Sequence, residues 1–276
     1  MKKKNKKKSG IDFSNVKNPY QNVIAVVNQK GGVGKTTTVV NLASALADKK
    51  QKVLVIDLDP QGNATTGSGI EKNHLEFSIY DGLLGQKNFE EVVKKSVKCG
   101  FDLIPSNRNL AGAEIELVGL EMREYRLRSM LEDVVSNYDV ILLDCPPSLS
   151  LLTLNGLVAA NFILVPVQCE YYALEGLTDL LNTVDLIRQK LNPDLELLGI
   201  IRTMFDSRNN LANDVSDQLF EYFKDKVFNR SIPRNIRLAE APSFGMSAVA
   251  LDPYALGSMA YVELAREFKQ KLQKLI

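Results

Sequence analysis

The sequence has a single histidine, His74, and three cysteines, Cys99, Cys145 and Cys169. One histidine excludes every mechanism that needs a pair, and His74 reads as a surface loop residue rather than a ligand. The cysteines are far apart and form no CxxC pair, which fits buried thiols in a reducing compartment rather than a disulfide framework. No apolar run approaches the roughly 18 residues that a membrane span needs. No stretch rich in Pro, Gly or Ser divides the chain, and no internal repeat is present. An excess of charge is also missing: 34 basic side chains face 33 acidic ones, a net +1. Six lysines lie within residues 1–8, which leaves 28 basic against 33 acidic side chains in the body. Bulk charge therefore does not argue for a nucleic-acid binder, and any such surface must be a local patch.

The lysine run is not a signal peptide, because no apolar core of about 7–15 residues follows it. Two readings stay open: a solvated, disordered tail, or an electrostatic tether to DNA or anionic lipid. The division expected is a basic flexible tail over 1–19 and one domain over 20–276.

What the chain does have is an apolar fraction of 45% in 276 residues, ample for a large core. Short, continuously hydrophobic runs recur at 23–27, 53–57, 101–105, 140–144, 162–167, 197–203 and 227–233. Such runs suit strands covered on both faces. Between them the pattern predicts helices near 36–48, 110–137, 149–160, 172–191, 209–224 and 256–275. This alternation predicts an α/β fold with a doubly wound, mostly parallel sheet. In such sheets ligands sit beyond the carboxyl ends of the strands.

One strand end carries Lys30-Gly31-Gly32-Val33-Gly34-Lys35-Thr36-Thr37, between the run 23–27 and the helix 36–48. The glycines permit backbone conformations that turn several N–H groups toward one anion. The helix start adds partial positive charge. Lys35 supplies a full charge to the outer phosphates, and the Thr36 hydroxyl can ligate magnesium. The general pattern G-x-x-x-x-G-K-[ST] asks for glycine at position 29, where Gln29 stands, and a second lysine, Lys30, heads the loop. The implied ligand is a nucleoside triphosphate; the alternative is a glycine-rich turn with solvated lysines.

Two more strand ends are acidic. The second run ends in Asp57-Leu58-Asp59-Pro60-Gln61-Gly62-Asn63, and the run 140–144 ends in Asp144-Cys145-Pro146-Pro147-Ser148. Asp144 is suited to hold a magnesium-bound water, or else is an ordinary turn aspartate. Asp59 is suited to orient an attacking water in line with a γ-phosphate, or else caps the turn at 60–62. Asp57 is suited to support the loop or the metal shell.

These segments, in this order, resemble the ParA/Soj chromosome and plasmid partitioning ATPases, the deviant Walker A group of P-loop NTPases. The likeness extends through Ala111-Gly112-Ala113-Glu114, through Pro166-Val167-Gln168-Cys169-Glu170-Tyr171-Tyr172-Ala173-Leu174-Glu175-Gly176, and through 232–243, beginning Ile232-Pro233-Arg234-Asn235-Ile236-Arg237. It covers about 20–268. The resemblance implies an ATPase using ATP and Mg2+, cytoplasmic and nucleoid-associated. ATP would close two subunits face to face into a homodimer, with Lys30 reaching the partner's phosphates as an arginine finger does. It implies a water-activating role for Asp59, magnesium contacts for Thr36 and (through water) Asp144, and base contacts for Pro233 and Asn235. It implies non-specific DNA binding by the ATP dimer, for which Arg208 is the best match, then Arg237, with Arg234 and Arg202 after them. It also implies a ParB-type centromere-binding partner that stimulates hydrolysis.

The last helix places Leu264, Phe268, Leu272, Leu275 and Ile276 along one side. This is either a helix packed on the sheet or a membrane-lying helix of the kind used by the related MinD division-site ATPases. A nucleotide-gated DNA-binding module without turnover is opposed by Lys35, Thr36, Asp59 and Asp144. A metal-cluster carrier of the same superfamily is opposed by the lack of paired cysteines.

Overall fold

The apolar runs become neighbouring strands of one sheet. The computed structural model describes residues 22–275, so the lysine-rich segment expected as a tail lies outside the described residues. The strands are β1 (Val23–Val26), β2 (Val53–Asp57), β3 (Lys94–Ser96), β4 (Phe101–Ile104), β5 (Val140–Asp144), β6 (Phe162–Gln168) and β7 (Glu196–Thr203). Their order is β3-β4-β2-β5-β1-β6-β7. Every adjacent pair is parallel except β3 with β4. The helices are α1 (Lys35–Asp48), α2 (Asn63–Gly67), α3 (Ile79–Leu83), α4 (Phe89–Val92), α5 (Leu110–Leu117), α6 (Arg126–Leu131), α7 (Leu151–Ala159), α8 (Ala173–Lys190), α9 (Asn210–Phe223), α10 (Ile236–Glu240), α11 (Ala248–Leu251) and α12 (Leu256–Leu275).

The strands are apolar at successive positions because both faces are covered. On one face Val23, Ala25, Leu54, Ile56, Ile141, Leu143, Ile163 and Val165 meet residues of α5 to α9. On the other Ile24, Val26, Val53, Val55, Leu142 and Leu164 meet α1 and α12. The apolar side of α12 lies in that second layer, with Leu264, Phe268 and Leu272 buried. Leu275 is exposed, and Ile276 lies outside the described residues. Among the described residues no helix is long and apolar enough to cross a membrane.

The doubly wound, mostly parallel sheet is as expected from the alternation. Two of the expected elements differ. The run 227–233 is not a strand: its pairing with the β7 side is limited to isolated bridges, Ile200 with Val227 and Phe205 with Pro233. Between these points the N–H groups of Asn229 and Arg230 turn away and donate to the Glu267 carboxylate of α12, at 2.9 and 3.1 Å. The expected long helix 110–137 is broken into α5 and α6, flanked by short 3-10 turns. Met122 sits at φ +53 between them, a left-handed conformation that ends a helix. Asn155 of α7 then fixes the new direction, accepting from Leu127 N–H and donating to the Arg123 carbonyl.

The pairing register builds the site. Asp144 lies beside Val26 on one side and beside Asp57 on the other. The glycine-rich loop and both acidic turns therefore leave the sheet at the same level.

Candidate nucleotide site and basic surface

The loop after β1 wraps into the first turn of α1. Gly32 and Gly34 have φ of +75 and +88, values that side chains with a Cβ rarely adopt. At Gly32 an added Cβ would meet open space, so backbone conformation rather than crowding selects glycine there. Thr203 at the end of β7 donates its hydroxyl to the Val33 carbonyl at 2.8 Å and pins the loop. Asn28 anchors the loop's head: it donates to Pro166 O at 2.7 Å and accepts from Lys30 N–H at 2.9 Å. The start of α1 has no side-chain cap and no acidic residue in its first turn. Its N–H groups are thus left to an anion.

Lys35 is buried, and its ammonium donates to the Lys30 carbonyl at 3.1 Å. Burial lowers its pKa, and the charge of Asp144 opposes that shift. Thr36 donates its hydroxyl to Asp144 Oδ2 at 2.7 Å. Asp144 Oδ1 is buried and has no hydrogen-bond partner. Such an orphaned carboxylate oxygen beside a threonine hydroxyl is suited to a hydrated magnesium ion. No cluster of three or more His, Cys, Asp or Glu that could hold a metal occurs among the described residues.

Asp57 is fully buried. It accepts from Asp59 N–H at 3.1 Å and from the Thr65 N–H and hydroxyl at 2.8 and 2.7 Å. Burial pushes the pKa of both Asp57 and Asp144 up, and for Asp144 the charge of Asp57 adds to the effect. Two carboxyls side by side in a dry site favour a nearby cation. Asp59 caps its own turn, accepting from Gln61 N–H at 2.9 Å, and its charge also reaches Lys35. The capping and water-orienting readings of Asp59 thus concern one position at the site, and the first contact is present.

Pro233 and Asn235 line a cavity of about 200 Å3 together with Gly34, Thr37 and Tyr261. Arg234 lines the same cavity. Asn235 also caps α10, accepting from Arg237 N–H at 3.0 Å.

The four arginines fall into different settings. Arg208 is exposed and gripped by Asp206, with Nε and Nη2 donating to its two carboxylate oxygens at 2.9 and 2.7 Å. Arg237 is half-exposed and pairs with Glu240 and Asp252. Phe205 N–H donates to Ile232 O at 3.0 Å, so the segments bearing Arg208 and Arg234–Arg237 leave the β7 edge side by side. Arg202 corrects the expectation. It is 7% exposed, donates to Ser216 Oγ at 2.9 Å and to Asn229 O at 2.7 Å, and stacks on Phe205 and Phe220. It is a structural cation under α9 and is not presented to a DNA backbone.

The AAA domain family matches residues 21–197. Sporulation initiation inhibitor protein Soj of Bacillus subtilis is 51% identical over 245 residues, 89% of this chain and 97% of Soj. This chain belongs to the ParA/Soj family of partitioning ATPases. A second ParA/Soj protein, chromosome partitioning protein ParA of Myxococcus xanthus, is 47% identical over 249 residues, 90% of this chain and 88% of that protein. Among solved structures, cobyrinic acid a,c-diamide synthase from Mycobacterium smegmatis, with a bound ATP analogue and magnesium, matches with a TM-score of 0.77 at 38% identity. The match covers 88% of this chain and 92% of that one.

Three residues of this ParA/Soj site were not assigned roles from sequence. Glu170, two residues past β6, forms an ion pair with Lys30. Its position just beyond a strand end was the available signal. Thr65 and Ser106 meet at the Asp57–Asp59 turn, and no sequence pattern marks them.

Proposed function

We propose that this ParA/Soj chain is an ATP-driven DNA-segregation switch. Mg·ATP binds at the loop 30–37 and joins two copies face to face. The dimer holds DNA without sequence preference through Arg208 and Arg237, with Arg234 adjoining. A ParB-type partner stimulates hydrolysis, and the copies part and leave the DNA. Nucleoid association follows from the DNA-bound state. The observation that carries this reading is the convergence of Lys35, Thr36, Asp59 and Asp144 at three neighbouring strand ends, with one Asp144 oxygen left unbonded.

The Thr36 hydroxyl and, through water, Asp144 would hold magnesium, which when bound offsets phosphate charge. Lys35 and the α1 N–H groups bind the β- and γ-phosphates. Asp59 orients water for attack on the γ-phosphorus; the bond to the β-phosphate oxygen breaks, giving ADP and phosphate. Lys30 of the opposing copy adds charge where it develops in the transition state. Turnover by an isolated chain is therefore slow.

The test is Lys30→Ala, followed by sedimentation with a non-hydrolysable ATP analogue and by phosphate release with DNA. Loss of nucleotide-dependent dimers and of stimulated turnover is expected. If both survive, the trans mechanism is wrong.

A further inference from the structure

The turn that carries Asp59 is clamped from two strands, and the clamp meets at one hydroxyl. Thr65, fully buried in α2, donates that hydroxyl to Asp57 Oδ2 at 2.7 Å and accepts Ser106 N–H at 2.8 Å. Asp57 ends β2, and Ser106 follows β4, so Thr65 ties two strand ends together. Ser106, also fully buried, donates its own hydroxyl to the Asp59 carbonyl at 2.8 Å. That carbonyl also accepts Gly62 N–H at 2.9 Å. Gly62 sits at φ +61, and a Cβ there would lie 2.8 Å from the Ser106 carbonyl. The segment 59–62 is thus seated between Asp57 beneath and Ser106 beside it.

We infer that Thr65, acting with Ser106, is a positioning residue for hydrolysis: it fixes the Asp59 turn so that the carboxylate meets the attacking water in line. The inference rests on the reading of Asp59 given above. Neither Thr65 nor Ser106 hydrogen-bonds to the loop 30–37; their bonds go to Asp57, to each other and to the Asp59 carbonyl, so the effect of their loss is expected on the Asp59 turn rather than on ATP affinity. A displacement of about 1 Å in a group that orients a reactant can cost a hundredfold in rate. Losing the clamp therefore acts on kcat and spares binding.

Thr65→Val keeps the shape and removes the hydroxyl, leaving the Ser106 N–H unpaired. Thr65→Ser keeps the hydroxyl. The full chain is assayed for phosphate release from Mg·ATP with double-stranded DNA, and for binding of a fluorescent non-hydrolysable ATP analogue. The expected result is a kcat about 10- to 100-fold lower for Thr65→Val, with analogue affinity within about twofold of wild type and most of the rate restored in Thr65→Ser. Ser106→Ala covers the case in which the valine variant does not fold, and a several-fold fall in kcat at unchanged affinity is expected. Wild-type turnover accompanied by unchanged rates in these variants overturns this inference alone. So does a serine variant as slow as the valine one, or a parallel loss of analogue binding. A wild-type chain with no turnover under these conditions strikes the reading of Asp59 first, and this inference with it.

Discussion

Lys30, the lysine at the head of the nucleotide loop, is ion-paired in its own chain with Glu170. Both side chains are about half exposed, 51% and 46%. A pair of that kind is worth at most about 1 kcal/mol, so Glu170 restrains Lys30 without locking it. On the proposed cycle Lys30 must leave Glu170 to reach a second copy. We predict that Glu170→Gln shifts the monomer–dimer balance toward dimer at a fixed concentration of non-hydrolysable analogue, by up to about fivefold for each of the two Lys30 side chains freed. Analytical ultracentrifugation measures it. An unchanged balance means that the pair plays no part in assembly.

Arg208 faces a similar rival. Asp206 holds its guanidinium in a bidentate grip, and that contact keeps the Asp206 carboxyl at about 2, below the usual carboxylate range. If this loop faces DNA as proposed, Asp206 would both occupy the arginine and repel phosphate. Asp206→Asn should tighten non-specific DNA binding by the ATP-loaded protein, and Arg208→Ala should weaken it. The alanine variant should also lower the slope of log affinity against log salt by about one. Equal affinities and slopes for wild type and Arg208→Ala would remove Arg208 from the DNA surface.

Arg202 gives the opposite pattern. Its guanidinium lies over the rings of Phe205 and Phe220 and donates to the Ser216 hydroxyl and to the carbonyls of Phe228 and Asn229. Arg202→Ala opens a void and strips partners from buried oxygens. A loss of about 3 kcal/mol in unfolding free energy is expected, read from urea denaturation. The salt slope of DNA binding by the folded fraction should stay unchanged. A lower slope at unaltered stability would return Arg202 to the DNA surface.

The two arginines show what was legible in the residues alone and what was not. Arg208 follows the end of β7 among polar residues, where a strand has stopped and a side chain meets solvent. Arg202 lies inside β7, two positions after Ile200, and alternation puts both on the same covered face. That signal was present but is easily outweighed by charge, because an arginine is seldom buried. The acidic strand ends were legible for the same reason as the sheet: Asp144 follows four apolar residues, and a carboxylate there must mark a strand's exit. The contacts of Thr65 and Ser106 were not legible, since they depend on how two loops cross after the strands are paired. The break at Met122 was hidden too, because a positive φ at methionine has no compositional cue. β3, with the sequence Lys94-Lys95-Ser96, is an edge strand held by pairing to β4 rather than by burial, and no apolar run announces it.

The C-terminal helix allows a direct choice between partitioning on DNA and positioning on lipid. For α12 to lie on a membrane, its apolar side must leave the sheet. That side includes Tyr261, Leu264 and Phe268, each at most 1% exposed. The sheet and α1 residues that it covers, among them Ile24, Val26 and Leu142, would then face water, at about 1.5–3 kcal/mol for each large apolar side chain laid bare. Tyr261 would also give up its contact with Thr38, 3.1 Å away beneath the nucleotide loop. Those losses are comparable to the whole stability of an ordinary domain, about 5–15 kcal/mol. Phe268→Ala should therefore behave as a core truncation, lowering stability by about 3–5 kcal/mol in a urea titration. The wild-type chain, with Mg·ATP, should remain in the supernatant when vesicles of phosphatidylglycerol and phosphatidylcholine are sedimented. Co-sedimentation that needs ATP and is lost when residues 265–276 are removed would instead make α12 a lipid-reading element.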